Sequence, residues 1–87
     1  LLPTGHEFVE IDAPEFTWGK TVAKLDLLGA ILMAVKRHVP ALSHEGQSEY
    51  IAQQVDRPDG DFVIEQGDTL ALVGDSDDLR SFRRMGA

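Results

Sequence analysis

Three polar residues follow the longest apolar run of the chain, and they are the strongest candidates for binding chemistry. Lys36, Arg37 and His38 come directly after the apolar stretch 30–35. Basic side chains beside an apolar wall suit an anionic small molecule, and the planar guanidinium of Arg37 suits paired contacts with phosphate or carboxylate oxygens. A solvated strand end explains the same residues equally well.

Two motifs that resemble catalytic or nucleotide-binding sites fail on inspection. The stretch Gly19-Lys20-Thr21 lacks the glycine that a phosphate-binding loop places five residues before Gly19, where this chain has Pro14. Ser43 and His44 are adjacent in a polar loop, but neighbouring side chains usually point apart, and no third orienting group can be named. Neither motif therefore supports a phosphate-binding loop or a catalytic dyad.

The sequence offers no recognisable metal site. Because the chain contains no cysteine, disulfides, thiolate zinc sites and thiol catalysis are excluded. Its three histidines lack the short spacing of zinc ligands. The acidic cluster between Asp75 and Asp78 is explained by helix capping without a cation. We predict neither a metal nor a cofactor.

Length and composition predict one small folded domain. The chain has 87 residues, 43% of them hydrophobic and 26% charged, so one compact domain should span 1–87. A net charge of -7 disfavours a nucleic-acid partner, and no apolar run reaches the roughly 20 residues that cross a bilayer. A domain this small buries little surface, so we expect self-association or attachment within a larger protein.

The first part of the chain predicts two strands with a helix between them. Alternation over 7–13 indicates a half-buried strand that ends at Pro14. Thr17 can cap a helix whose apolar stripe is formed by Trp18, Val22 and Leu25. The stretch 30–35 is apolar at every position and indicates a strand that is covered on both faces.

The second part predicts further strands and a last helix. The segment 40–60 contains many breaking residues and is predicted to be a loop with one short strand. The β-rich runs 62–64 and 69–73 are joined by a sharp corner, in which Gly67 supplies a positive φ angle. A helix then follows, capped by Asp75 or Ser76, with Leu79 and Phe82 facing inward.

The apolar stretch 30–35 also predicts a surface for self-association. Alternation places Ile31, Met33 and Val35 on one face of the strand. Two short helices from an 87-residue chain can hardly cover both faces of this strand. We therefore predict a homodimer with these three residues in its interface.

Several stretches together resemble the TrkA-C domain, the C-terminal lobe of RCK-type regulators of potassium channels and transporters. The most specific are Gly19-Lys20-Thr21 at the predicted helix entry and Gly67-Asp68 before the last strand. The likeness spans about 7–84 and is carried by 8–14, 18–27, 30–37, 62–74 and Asp78-Leu79. The segment 38–59 is longer than the family pattern, so loop contacts do not carry over.

The resemblance implies a small α/β domain of the α+β type, with about four to five short strands and two helices, that forms homodimers. It implies a cytosolic regulatory domain, not an enzyme, that senses a ligand for an attached or associated monovalent cation transporter or channel, either potassium or sodium/proton. In some family members the dimer cleft near the second strand binds a cyclic dinucleotide, and Arg37 matches by position the arginine that contacts its phosphate. The implied ligand is thus an anionic small molecule such as a nucleotide, with Lys36 and His38 assisting.

Two alternatives from other classes remain. The chain can be a plain homodimerisation module without a small-molecule ligand. It can also be an enzyme that uses the acidic loop, although only spare carboxylates support that hypothesis.

Overall fold

The structure, a computed structural model, describes residues 5–43 and 45–85, and it is a small α+β domain. Its strands and α-helix within these residues are β1 (His6–Asp12), β2 (Ile31–Leu42), β3 (Ser48–Asp56), β4 (Thr69–Asp75) and α1 (Ser76–Met85). The four strands form one antiparallel sheet in the order β1-β4-β2-β3, and the helix follows them at the C-terminal end of the described chain. Within the described part of the chain, no helix has the length and apolar character needed to cross a bilayer. His44 lies outside the described residues, so the Ser43–His44 pair is not described.

The predicted helix after Pro14 does not form, and two 3-10 turns, Glu15–Thr17 and Val22–Lys24, take its place. The backbone between the turns bonds to the segment 60–64 instead of to itself. Gly19 donates its N–H to the carbonyl of Ile64 at 2.7 Å, and Val22 donates to Phe62 at 2.9 Å. Gly19 also has a φ of 79°, which interrupts any helix at this point. The predicted strand 62–64 is accordingly reduced to one bridge between Thr21 and Val63.

The segment 40–60, predicted to be mostly loop, contains a long hairpin. β2 continues to Leu42, and β3 pairs with it from Ser48 to Asp56. The pairing of β2 with β4 ends at Lys36, so residues 37–42 and 48–53 form a two-stranded ribbon beyond the four-stranded sheet. Pro40 is tolerated in this ribbon because one edge of β2 has no neighbouring strand there.

A β-bulge in β2 decides which side chains enter the core. The register with β4 shifts between Leu32 and Ala34, so Met33 is an extra residue in the strand. Leu32 and Val35 therefore point to the same face, opposite Leu72 and Leu70 of β4. Simple alternation would have placed Val35 with Ile31 and Met33.

The core lies between this face of the sheet and α1. Leu79 and Phe82 of the helix are buried, as predicted, and the Phe82 ring meets Phe16 edge to face at 5.4 Å. The buried apolar residues that contact one another in this core are Ala13, Ala30, Leu32, Val35, Ile64, Leu70, Leu72, Leu79 and Phe82. On the opposite face of the sheet, Phe8 and Ile31 are 54% and 60% exposed. The sheet is thus covered on one face, and we call the other the open face.

Candidate functional site

A groove crosses the open face of the sheet. Its floor is one row of directly opposed residues, namely Glu10 of β1, Ala71 of β4, Ala34 of β2 and Asp56 of β3. The two alanines are only 3% and 7% exposed, because larger side chains stand on both sides of the row. Their small size leaves a volume of about 640 Å³ above the centre of the sheet.

One side of the groove is apolar. Phe8 of β1 and Met33 of β2 line it, and Met33 is 37% exposed because it is the extra residue of the bulge. Beside them, the adjacent row of the sheet joins Phe8, Val73 and Ile31. An apolar wall next to a shallow alanine floor suits a flat, uncharged part of a ligand.

The other side of the groove is polar. Lys36 of β2 and Gln54 of β3 are directly opposed there, and Lys36 forms an ion pair with Glu10. The Gln54 amide donates a hydrogen bond of 2.7 Å to Asp56 Oδ1. Arg57 stands at the rim and forms no ion pair with any residue the structure describes. Two cations and two carboxylates therefore surround the groove, and their formal charges cancel.

Backbone contacts fix the position of Arg57 at the rim of the groove. Arg57 directly follows β3 and has a φ of 47°, an uncommon conformation for a residue other than glycine. Its N–H donates to the carbonyl of Met33 at 2.9 Å, so the end of β3 is tied to the bulge of β2. The bulge thus positions both the apolar wall and the exposed guanidinium.

Arg37 lies on the other face of the sheet and is held in a structural network. Its Nε and one terminal nitrogen donate to the two Asp68 oxygens at 2.8 and 2.7 Å. The same terminal nitrogen donates to the carbonyl of Val63 at 2.9 Å, and the other lies 3.2 Å from Glu65. Asp68 is buried and also accepts the N–H of Glu65 at 2.9 Å. These contacts tie the chain before β4 to β2, and we call them the Arg37 clamp.

The clamp leaves few N–H donors of Arg37 available to a ligand. A guanidinium has five N–H donors, and the contacts to Asp68, Val63 and Glu65 use four of them. The hydrogen bond with Asp68 raises the pKa of Arg37 above its ordinary value, against the opposing effect of burial, so the side chain stays charged. The one remaining N–H donor of Arg37 cannot make the paired contacts with phosphate or carboxylate oxygens that the sequence suggested for this residue.

The structure separates the three residues that the sequence grouped as a ligand site. Lys36 lines the groove, whereas Arg37 is in the clamp on the other face. His38 is exposed and lines, with Arg37, a smaller hollow of about 430 Å³ beside the corner 65–68. The carboxylates of Glu65 and Asp68 also line this hollow and are paired with its guanidinium, whereas the groove has the exposed Arg57, which forms no ion pair with a described residue, so the hollow is less suited to an anion than the groove.

Of the three residues predicted for a dimer interface, Ile31 and Met33 are exposed on the open face. Val35 has no exposed surface and belongs to the core, because the bulge turns it away from the other two. Phe8 of β1 lies in the same cross-strand row as Ile31, with Val73 of β4 between them, and it is also exposed. The exposed apolar patch therefore contains residues of β1 as well as β2.

Sequence analysis named Lys36 as a ligand residue and Met33 as an interface residue, but it missed the other residues that form the groove. Ala34 and Ala71 lie inside apolar runs that look like uniform core, and only the register of β2 with β4 brings them together. Arg57 was hidden in a segment predicted to be loop. A signal was available for Phe8, since an aromatic residue on the polar side of an alternating strand is unusual.

The side chains that line the groove can bind a ligand. Across 5–43 and 45–85, no three His, Cys, Asp or Glu side chains are grouped as metal ligands would be. The groove contains carboxylates, an amide, an ammonium and a guanidinium, but it contains no hydroxyl or thiol nucleophile. It can bind a small molecule with a flat apolar part and a polar or charged end.

Comparison with known proteins adds no relative. No protein-family model matches the chain, and no curated protein or solved structure matches it either.

Proposed function

We propose that the chain is a regulatory domain, resembling TrkA-C, that self-associates and senses an anionic small molecule for a monovalent cation transporter or channel. The observation that carries the proposal is the groove on the open face, with its alanine floor between an apolar and a polar side. The TrkA-C resemblance of 7–84 supplies the link to transport. The proposed setting is the cytosolic side of the membrane, beside the transport protein.

In this proposal the ligand has a flat, apolar part and an anionic end, as a nucleotide has. The flat part lies over Ala34 and Ala71, against Phe8 and Met33. The anionic end lies near Lys36, whose ammonium must then exchange Glu10 for the ligand. Because this exchange costs an existing ion pair, we expect micromolar rather than nanomolar affinity.

A ligand affects transport only if it binds one arrangement of subunits better than another. The groove lies between β1 and β3, the two edges of the sheet, so its walls include residues near both. A ligand that bridges these walls to a second copy would favour one arrangement of the two subunits. This is how binding in the groove would become a signal to the transporter.

The alternative of a plain homodimerisation module is favoured by one specific observation. Each cation that the sequence offered for an anion is already engaged, Lys36 with Glu10 and Arg37 with Asp68. If these pairs persist in solution, the open face serves association alone.

Calorimetric titration separates the two functions. Wild-type protein is titrated with AMP, ATP and a cyclic dinucleotide, and separately with KCl and NaCl. For the nucleotide that binds, Lys36→Gln should weaken binding by about tenfold or more, since a charge-assisted contact contributes about 1.5–3 kcal/mol. Glu10→Gln should strengthen it, because the change frees Lys36 and removes a repelling carboxylate. Lys24→Gln is the matched control, since Lys24 is exposed and lies outside the groove.

Absence of heat with every nucleotide, together with unchanged amide shifts around Ala34 and Ala71, would favour the plain module. The transport part of the proposal needs a separate assay. Deleting this domain from the encoded protein should change rubidium or sodium flux in cells that express it. An unchanged flux would contradict a regulatory role in cation transport.

A further inference from the structure

Arg57 is a cation of the groove that has no ionic partner. It is exposed, and it forms no ion pair with any residue of 5–43 or 45–85. Lys36, by contrast, is paired with Glu10, and an anion can reach its ammonium only by displacing that carboxylate. All three side chains line the same volume of about 640 Å³. An anion that meets Arg57 therefore gains a charge-assisted contact without breaking an existing ion pair.

The backbone of Arg57 has a conformation that folding alone does not favour at an arginine. Its φ of 47° lies in the left-handed region, where an L side chain is strained and glycine is not. The hydrogen bond from its N–H to the carbonyl of Met33, at 2.9 Å, holds the residue at the groove. Strained residues persist where surrounding contacts fix them, and they are concentrated in binding sites. A binding role would explain why an arginine is present where it costs stability.

Arg57 and Lys36 approach the groove from opposite sides of its floor. Ala34 pairs with Asp56, so Arg57 follows this pair by one residue along β3, and Lys36 follows it by two residues in the opposite direction along β2. At about 3.3 Å per residue, the two backbones are roughly 10 Å apart along the strands. The side chains of arginine and lysine are long enough to contact one anion from both sides of this gap.

From these observations we infer that Arg57 and Lys36 together hold the anionic end of the ligand. This end is a singly charged group with two terminal oxygens, either a phosphodiester or a carboxylate. The inference rests on the proposed function, and it adds a binding residue and the charge class of the ligand.

Shape and charge both favour this class of anion. The planar guanidinium of Arg57 presents paired N–H donors, which match two oxygens of one group. The groove also contains the carboxylates of Glu10 and Asp56, whose charges balance those of its two cations. A phosphate monoester carries about −1.5 to −2 charges at pH 7, so its extra charge would be repelled by these carboxylates with no further cation to balance it.

Calorimetric titration with a series of related probes tests the charge class. The probes share one nucleoside and differ in the anionic group: adenosine has none, cyclic AMP has a phosphodiester, an adenosine carboxylate has a carboxylate, and AMP has a monoester. The same series is repeated with guanosine. We expect cyclic AMP or the carboxylate to bind at least tenfold more tightly than AMP and adenosine, and the better of the two identifies the group. Glu10→Gln should narrow the difference from AMP, because it leaves Lys36 as a second unpaired cation.

Substitutions at Arg57 separate binding from folding. Arg57→Gln should weaken the tightest probe tenfold or more, and Arg57→Lys, which keeps the charge but loses the paired donors, should weaken it several-fold. Arg57→Gly should weaken binding as Arg57→Gln does and yet raise the urea midpoint, because glycine adopts a positive φ without strain. Arg83→Gln is the matched control and should bind as the wild type does, since Arg83 is exposed on α1 and does not line the groove.

The results distinguish this inference from the proposed function. If nucleotides bind and Lys36→Gln weakens them while Arg57→Gln does not, the Arg57 contact is overturned and the proposed function stands. Binding that falls in the Arg57 variants only together with the urea midpoint would assign Arg57 to the fold and would also overturn the contact. AMP binding as tightly as cyclic AMP and the carboxylate would overturn the charge class. If none of the probes and none of the nucleotides binds, the inference and the proposed function both fail.

Discussion

The Arg37 clamp gives the sharpest test of how the fold is held. Arg37→Ala removes both donors from Asp68, whose side chain is 2% exposed, and leaves that carboxylate with the N–H of Glu65. A buried charge that loses its partner costs about 3–5 kcal/mol. Because the Arg37 side chain is 26% exposed, water can enter the vacated space, and we expect the lower value of about 3 kcal/mol.

The loss is measured by urea unfolding, with the far-UV circular dichroism and the Trp18 fluorescence recorded together. All variants are compared at one protein concentration, because self-association adds to apparent stability. A thermal melt gives a second measurement of the same loss. At about 4–8 °C per kcal/mol for a domain of this size, a loss of about 3 kcal/mol should lower the melting temperature by roughly 12 °C or more. Arg80→Ala is the control, since its ion pair with Asp77 is exposed and contributes less than about 0.5 kcal/mol.

A double-mutant cycle identifies the cause. If the clamp acts through the charge pair, Arg37→Ala combined with Asp68→Asn should destabilise the protein much less than the sum of the single changes. Additive losses would refute this explanation and indicate lost packing of the arginine side chain. A loss below about 0.5 kcal/mol for Arg37→Ala would refute the clamp itself and return Arg37 to the candidates for ligand binding.

Three further changes test local features by urea unfolding and circular dichroism. Gly67→Val should lower the free energy of unfolding by about 1–2 kcal/mol from backbone strain alone, since Gly67 has a φ of 91° and an added Cβ atom would meet nothing within 4 Å. An unchanged urea midpoint would contradict the need for a positive φ at this corner. Gly74→Ala should lower the free energy of unfolding by about 1–3 kcal/mol, because the added Cβ atom would lie 3.1 Å from Ala30 Cα in the core. A gain in stability would contradict this steric conflict and show that the backbone near Ala30 can move. Asp75→Ala should lower the free energy of unfolding by about 1 kcal/mol and weaken the helical circular dichroism signal, since Asp75 Oδ1 accepts the Asp77 N–H at 2.9 Å. A circular dichroism signal equal to that of the wild type would show that Asp75 does not cap α1.

The sequence correctly predicted the elements whose local residue pattern agrees with their surroundings in the fold. β1 and β4 show alternating or continuous apolar runs, and the structure places both where expected. Gly67 has the positive φ that its corner requires, and α1 begins beside Asp75 with its apolar residues inward. In each case the local signal and the tertiary contacts agree.

The remaining differences have physical reasons. β3 was hidden because neither of its faces is buried, so Tyr50 to Val55 show no alternation. Trp18, Val22 and Leu25 have helical spacing, but they pack against the core from irregular backbone that bonds to the segment 60–64. The groove could not be predicted, because a one-residue bulge at Met33 changes the face of every later residue in β2.

The two-stranded ribbon divides the domain into regions of unequal local stability. In the described part of the chain, residues 37–42 and 48–53 pair as strands only with each other, and beyond this pairing Arg37 is held by its clamp, whereas residues 34–36 of β2 pair with a strand on both sides. An isolated two-stranded hairpin is marginally stable in water, so ribbon amides should exchange with solvent through local opening while those of β4 require global unfolding. Any partner that covers β3 must first hold the ribbon closed, and the ordering cost is subtracted from its affinity. Amide exchange in the ribbon is therefore a direct measure of how fully the surface is occupied.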